Sequence, residues 1–528
     1  MKRYILGLSM AAISLSFTGC ADFLEEPVRG QQELGEYFTS EDECRKQITG
    51  CYQSLAFDDW WQVYKFYVAA DMCTDDMWMG NTSQDPGEYR DLAHYTGNTY
   101  GAGNCCQNFW QYRYKGILRC NIAIERIPGV TFENENLKKR YIAEAKMLRA
   151  FQYFDLIRNF GGVPLVMGMK MPSEVQGIRR SSVADSYAAV EQDLLDAITD
   201  LPKRGEYTSN DLGRATKGAA QGFLAKVYLY QEKYEEAEKV LQELICRGEH
   251  QGESCEYDLM DDFSQVWDLN YNNNEESLFE IQTNSDISYP LGQRISVICG
   301  SRDDSGWAWG LPTSNLEKAY SSVDTRLKWT IIKNGQDVAG DEKARGYTIK
   351  PDDHKSARVS RKLYIPKDSR PDPYDAAHIP LNYRLLRFAD VLLMYAEVEN
   401  ALGHDDEARW ALNRVRKRAS LADAVSSGTE LRDAIRLERR LELALENNRL
   451  YDLRRWKENG KPAICSIMGR NGSFVRYNLT YSDSYEANNQ KERSDKGINF
   501  DETRDLLFPI PTTEVTMSNG SIEQNPGY

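Results

Sequence analysis

Apolar positions recur every three or four residues in several long stretches of the 528-residue chain, and between those stretches the period is lost. Ser40 and Glu43 have capping-box spacing, which predicts a helix from there to about Leu55. Trp110, Tyr114, Ile117, Asn121 and Ile124 fall on one face of a second helix, stopped by Pro128-Gly129. A third starts near Asn136 and carries AEAKMLRAFQYFDLIRNFGGVPL, and a fourth shows Tyr187, Val190, Leu194, Ile198 and Leu201 before Pro202 closes it. The one-sided spacing makes these amphipathic helices of a core.

Residues 216–247 and 387–418 repeat one another. Ala225 is followed by Ala237, Leu241 and Leu244; Ala396 is followed at the same offsets by Ala408, Leu412 and Val415. A small residue where two antiparallel helices touch, a short polar turn (QEKYEEA, LGHDDEA) and a leucine ridge make the tetratricopeptide pattern. One hairpin cannot bury its apolar face alone, so at least three units should stack into a right-handed helical scaffold. The helices at 104–127, 136–160 and 429–457 are the natural additional units. The fold class expected is mainly α, a tetratricopeptide-like helical-hairpin scaffold with a loop-rich irregular subdomain inserted.

The aperiodic stretches are 56–103 and 248–386. The first, with Trp60-Trp61 and the acidic cluster Asp71, Asp75 and Asp76, reads as a long loop-rich insertion, and such loops are usually functional. The second is rich in Asn, Asp, Gly, Ser and Tyr, with short apolar runs such as SLFEIQ, and is too long for a loop. Within it SGWAWGLPT, Ser305 to Thr313, sets Trp307 and Trp309 between Gly306 and Gly310. Glycines so close together disfavour a helix, so this is a loop or short strand.

Charge and the chain start narrow the function. The net charge of −15, with no basic block, would repel phosphate backbones and anionic headgroups and excludes nucleic acid as a partner. Lys2 and Arg3, a 14-residue apolar run from Tyr4 to Phe17 and then Thr18-Gly19-Cys20 make a secretory signal too short to span a bilayer as a helix. The segment resembles a bacterial lipobox, which implies cleavage before Cys20 and acylation of that cysteine. Several acyl chains tether a protein stably. No later segment has 18 consecutive apolar residues, and the mean hydropathy is −0.61, so the expected membrane contact is the anchor alone. Of the eleven cysteines none forms a CxxC pair; Cys246 with Cys255, or Cys44 with Cys51, could be oxidised, as could neither.

Catalytic signatures are missing. In ERRLELALENNRLYDLRRW, Glu438, Glu442 and Glu446 share a helical face with Arg439, Arg449, Asp452 and Arg455, a pattern expected of an ion-pair network that fixes helix packing. The five histidines (94, 250, 354, 378, 404) form no HExxH, and the chain has no GxSxG, P-loop or GxGxxG motif. DMCTDD and NYNNNEE match no EF-hand and read as solvated loops. No catalytic residue, metal site or cofactor is expected. A carboxylate pair about 5 to 9 Å apart, as glycoside hydrolysis needs, is a spatial relation that a sequence does not display.

Taken in order, CADFLEEP, AEAKMLRAFQYFDLIRNFGGVPLV, GRATKGAAQGFLAKVYL, YRLLRFADVLLMYAEVENALG, LNRVRKRA, ERRLELALENNRLYDLRRW and LFPIPTTEV resemble the SusD/RagB family of outer-membrane nutrient-binding lipoproteins over nearly the whole chain. The resemblance implies a tetratricopeptide-like scaffold, capture of nutrient oligomers, usually glycans, at the cell surface, and a SusC-like TonB-dependent β-barrel transporter as partner. The expected segments are a signal peptide (1–19), a lipidated tether (20–39), an N-terminal helical region (40–247), a ligand-binding subdomain (248–386) and a C-terminal helical region with its tail (387–528). An aromatic ring receives the C–H face of a sugar, and polar heads near it receive the hydroxyls. Positions matching the family's ligand sites are Trp78 with Asn81 in DMWMGNTS, Tyr289, and Trp307 or Trp309; Lys65 is added to them. Trp307 and Trp309 are expected at the glycan-facing surface, at least one of them exposed, with Trp78 approaching from the other loop. A surface glycoside hydrolase and a peptide-binding tetratricopeptide adaptor are the alternatives.

Overall fold

The computed structural model describes residues 37–56, 62–80, 87–96, 105–333 except 287, 289 and 290, 356–480 except 367–369, 371, 373, 374, 376 and 377, and 495–528. The signal peptide, Cys20 and most of the tether lie outside the described residues.

The scaffold forms where the apolar periods run. Helix α1, Glu41–Gln53, opens with the expected capping box: Ser40 Oγ accepts from the Glu43 N–H, and the Glu43 carboxylate accepts from the Ser40 N–H at 3.1 Å. The next labelled helices are α2 (Gln62–Met72), α3 (Gly87–His94), α4 (Cys105–Arg126) and α5 (Glu135–Phe160). Helix α5 is buried on nearly every side after its first two turns, because α4, α1 and α6 (Val183–Asp200) surround it. The first repeat is the hairpin α7 (Lys217–Tyr230) and α8 (Tyr234–Leu244). After a short helix α9, Ile295–Cys299, the second repeat follows as α10 (Phe388–Leu402) and α11 (Asp405–Arg418).

Ala225, Ala237, Ala396 and Ala408 are fully buried where the hairpin helices cross, with Leu241, Leu412 and Val415 beside them. Packing of α8 on α10 joins the two repeats, and α12 (Gly428–Glu442) covers α10 and α11. One connected apolar core runs from Cys44 to Ile522. Among the described residues no helix is long and apolar enough to cross a membrane.

Three expectations are corrected. Residues 62–72 of the supposed loop-rich insertion form the buried helix α2, and Asp71 within it and Asp75 and Asp76 after it are buried, not solvated. Glu276 of NYNNNEE is also buried. The helix expected over 429–457 breaks: α12 ends at Glu442, and α13 (Arg449–Arg455) begins after a turn in which Leu445 and Asn447 take φ of 65° and 58°. A straight helix would carry Glu446 and Asn447 elsewhere; the turn carries both into the protein interior.

The described residues of 248–386 form turns, short helices such as α9 and two-stranded ladders. Strand β1 (Met77–Trp78) pairs antiparallel with β3 (Leu311–Pro312), β2 (Ser277–Ile281) with β6 (Tyr383–Arg387), and β4 (Ile331–Lys333) with β5 (Arg358–Ser360). The β2–β6 ladder closes the stretch at its base, directly beside α7 and α10. Cys246 and Cys255 form a disulfide, while Cys44 and Cys51 are free and buried.

The charged helix is the ion-pair network its pattern suggests. Arg387 reaches Glu276 (2.7 Å), Glu442 (2.6 Å) and Glu446 (2.8 Å); Arg326 reaches Asp324, Glu438 and Glu442; Arg439 reaches Asp390 and Asp452. Burial alone would raise the carboxyls of Glu442 and Glu446. The guanidiniums of Arg418 and Arg387 outweigh it at Glu442, as Arg387 and Lys362 do at Glu446, and both stay below the usual carboxylate range. Charges this deep are tolerated because each is paired and hydrogen-bonded.

Candidate functional site

The SGWAWGLPT loop is built by close backbone approach. The N–H groups of Trp307, Ala308 and Trp309 donate to the carbonyls of Val297, Gly300 and Ile298 at 2.8–2.9 Å, folding the loop back over α9. A Cβ on Gly306 would lie 2.2 Å from the Gly300 carbonyl carbon, so only glycine permits this crossing. Gly310 has φ of 66°, and its N–H donates to the Met79 carbonyl at 3.1 Å; a Cβ there would meet Val68 Cγ1 at 2.5 Å. The loop then enters β3, whose pairing with β1 ties it to the segment after α2.

That segment is held from beneath. The Thr313 N–H donates to the Asp76 carbonyl (2.9 Å) and Thr313 Oγ1 to the Asp75 carbonyl (2.7 Å). The Asp75 carboxylate pairs with Arg440 and Arg449, each at 3.0 Å; burial opposes its ionisation, but the two guanidiniums hold it well below the ordinary range. Among the described residues Asp71 has no such partner. Burial pushes it up to about 7, countered in part by the Asn447 N–H donated to Oδ2 at 2.9 Å. It lines a small internal cavity with Tyr67, Cys299, Ser360, Tyr383 and Asn447, with room for about one water.

The sequence-predicted residues separate into two groups. Lys65, on α2, brings Nζ to 5.4 Å from the Trp307 ring centre, and the Trp307 and Trp309 centres lie 5.3 Å apart at 59°. Trp307 is half-buried. Trp309 is 3% exposed and Trp78 fully buried, so neither offers a face to a ligand. The left-handed Ala308 (φ 55°) turns the backbone between the two tryptophans, which leaves one near the surface and sends the other inward. Trp78 is buried because its strand is covered: Phe474 packs at 5.9 Å, and Lys496, lodged 5.6 Å from the ring, donates to the carbonyls of Met72 and Met77. Asn81 and Tyr289 lie outside the described residues.

Tyr89, which sequence reasoning missed, is 5.5 Å from Trp309. Its signal was the spacing of Tyr89, Leu92 and Ala93 on one face of α3. Tyr89 backs Trp309, Trp309 backs Trp307, and Lys65 stands beside Trp307: a supported aromatic surface next to an ammonium group.

Two family models match. Residues 264–528 match the model described as SusD family, and residues 22–229 the one described as starch-binding, associating with outer membrane. SusD-like protein P2 of Formosa agariphila is 26% identical over the full length of both chains, and a SusD-like protein of Bacteroides ovatus is 26% identical over 85% of this chain and 82% of its own. Among solved structures, a laminarin binding SusD-like protein superposes with a TM-score of 0.73 at 26% identity, covering 93% of this chain and all of that one. Surface glycan-binding protein A of Bacteroides thetaiotaomicron, in complex with laminarihexaose, gives 0.72 at 22% identity, over 92% of this chain and all of that one, and so shares the fold. With a tetratricopeptide-like helical scaffold, a tryptophan loop mounted on it, and family models that cover both halves, the chain belongs to the SusD family.

Proposed function

We propose that the protein is a non-catalytic lipoprotein of the outer membrane, anchored through Cys20 and facing outward, which binds oligosaccharides and passes them to a SusC-like TonB-dependent transporter. The observation that carries the ligand reading is the Trp307 platform: a half-buried tryptophan, backed by Trp309 and flanked by the Lys65 ammonium. Such a ring accepts the C–H face of a sugar, and the ammonium donates to its hydroxyls. Buried carboxylates near the loop serve structure. Asp75 is engaged by arginines, and Asp71, the acid with a pKa near neutrality, is buried beneath the loop.

The test is calorimetric titration of the mature protein with a panel of oligosaccharides, laminarin fragments first because a relative is named for laminarin, followed by analysis for cleaved products. Binding without turnover, weakened in Trp307→Ala, supports the proposal. Product formation favours a hydrolase, and binding of peptides alone favours an adaptor.

A further inference from the structure

Buried carboxylates in this protein answer to arginine or lysine: Glu144 to Arg140 and Arg214, Asp155 to Arg113 and Arg158, Glu276 to Arg387 and Arg418. Glu399, in the last turn of α10, departs from this pattern, as Asp71 does. It is fully buried, and its one ion-pair partner among the described residues is His404, whose Nδ1 lies 2.7 Å from Oε2. Its other oxygen, Oε1, is buried without a hydrogen bond; the nearby Tyr395 hydroxyl donates to Glu407 Oε2 at 3.2 Å, and Glu407 is in turn taken by Arg247.

A second carboxylate converges on the same imidazole. Glu238 Oε1, from α8, lies 3.6 Å from His404 Nδ1 and has no lysine or arginine in ion-pair range among the described residues; Gln242 donates to it at 3.2 Å. One ligand atom from each of Glu238, Glu399 and His404 can be chosen so that all three lie within 4.8 Å of one another. The backbone fixes the arrangement: Gly403 caps α10 with φ of 85°, and the His404 N–H donates to the Glu399 carbonyl at 2.8 Å.

We propose that Glu238, Glu399 and His404 form a site for a divalent transition metal ion of the zinc type. One imidazole nitrogen with two carboxylate oxygens is a donor set suited to Zn²⁺, whereas Ca²⁺ and Mg²⁺ favour sets made wholly of oxygen. The His404 side chain is 53% exposed, which gives the ion a path in and leaves coordination positions for water. The three residues come from both repeats, so the ion joins α8 of the first hairpin to the α10–α11 turn of the second. No motif announces the site, because its ligands meet only when the hairpins stack.

The experiment uses untagged mature protein stripped with chelator and titrated with Zn²⁺, and separately with Co²⁺ to read the visible absorption of a protein-bound ion. Expected are binding of one ion, a rise in melting temperature on adding Zn²⁺ but not Ca²⁺ at equal concentration, and at least a tenfold loss of Zn²⁺ affinity in both His404→Gln and Glu399→Gln. Each variant is first checked for a melting transition without metal, and Glu238→Gln, on the more exposed of the two carboxylates, serves if either fails to fold. Absence of stoichiometric binding in the unaltered protein, or affinity unchanged in the variants, overturns the proposal and leaves His404 as a structural partner of two acids.

Discussion

The backbone N–H of Asn447 donates to Oδ2 of Asp71 at 2.9 Å, joining positions 376 residues apart in the chain. The contact exists because the C-terminal charged helix breaks after Glu442, and it sets the turn directly beneath the helix that carries Lys65. Whatever changes Asp71 is therefore felt under the candidate site.

Asp71 gives the protein a stability that falls with rising pH. Its carboxyl titrates near 7 in the folded state against an ordinary value of 3.8, so between those values the folded chain holds a proton that the unfolded chain has released. Stability from this group is complete below pH about 4 and declines through about pH 7, by about 1.4 kcal/mol per pH unit. Asp71→Asn removes the titration. Its melting temperature should match the unaltered protein near pH 4 and exceed it at pH 8, by the equivalent of about 4 kcal/mol. Parallel pH profiles would show that Asp71 ionises freely.

The three tryptophans should part company on truncation. Trp78→Ala and Trp309→Ala should each lower stability by about 3–5 kcal/mol, the cost of emptying a buried site of that size. Trp307→Ala should lose about 1 kcal/mol or less of stability, together with about 1–3 kcal/mol of oligosaccharide affinity, by analogy with stacking on nucleic-acid bases. Melting curves and titrations on the three variants separate the roles; equal destabilisation by all three would place Trp307 in the core as well.

Gly306→Ala should displace the loop. The added methyl would sit 2.2 Å from the Gly300 backbone, which has no flexible side chain to move aside. A loss of about 1–3 kcal/mol in stability is expected, with weaker ligand binding despite an intact Trp307. Normal affinity in this variant would mean that the loop does not form the site.

Arg387→Met should be among the most damaging single changes. It leaves Glu276, Glu442 and Glu446 short of a shared cation in the interior, at a cost of about 3–5 kcal/mol. Denaturant unfolding measures it, and a loss below about 1 kcal/mol would show that Arg418 and Lys362 suffice.

The scaffold was legible because its signals are local. The Ser40–Glu43 box, the alanine–leucine offsets of the two hairpins and the charge spacing of α12 each report on residues within a few turns of one another. The site was only half legible, because burial there is decided by distant partners. Nothing near Trp78 in sequence indicates that Lys496 and Phe474 cover it, or that Arg440 and Arg449 come to meet Asp75. The Trp307/Trp309 spacing did mark the loop, but one left-handed residue, Ala308, decides which ring turns outward.

Lys496 ties this protein's assembly to the end of its synthesis. Its ammonium satisfies carbonyls more than 400 positions earlier, under the strand that pairs with the tryptophan loop. A chain emerging from its amino end cannot close this lock until its last few dozen residues have appeared, since contacts of such long separation form only after the intervening loop entropy is overcome. Under the proposed export of the chain, the candidate site is therefore the part that matures last.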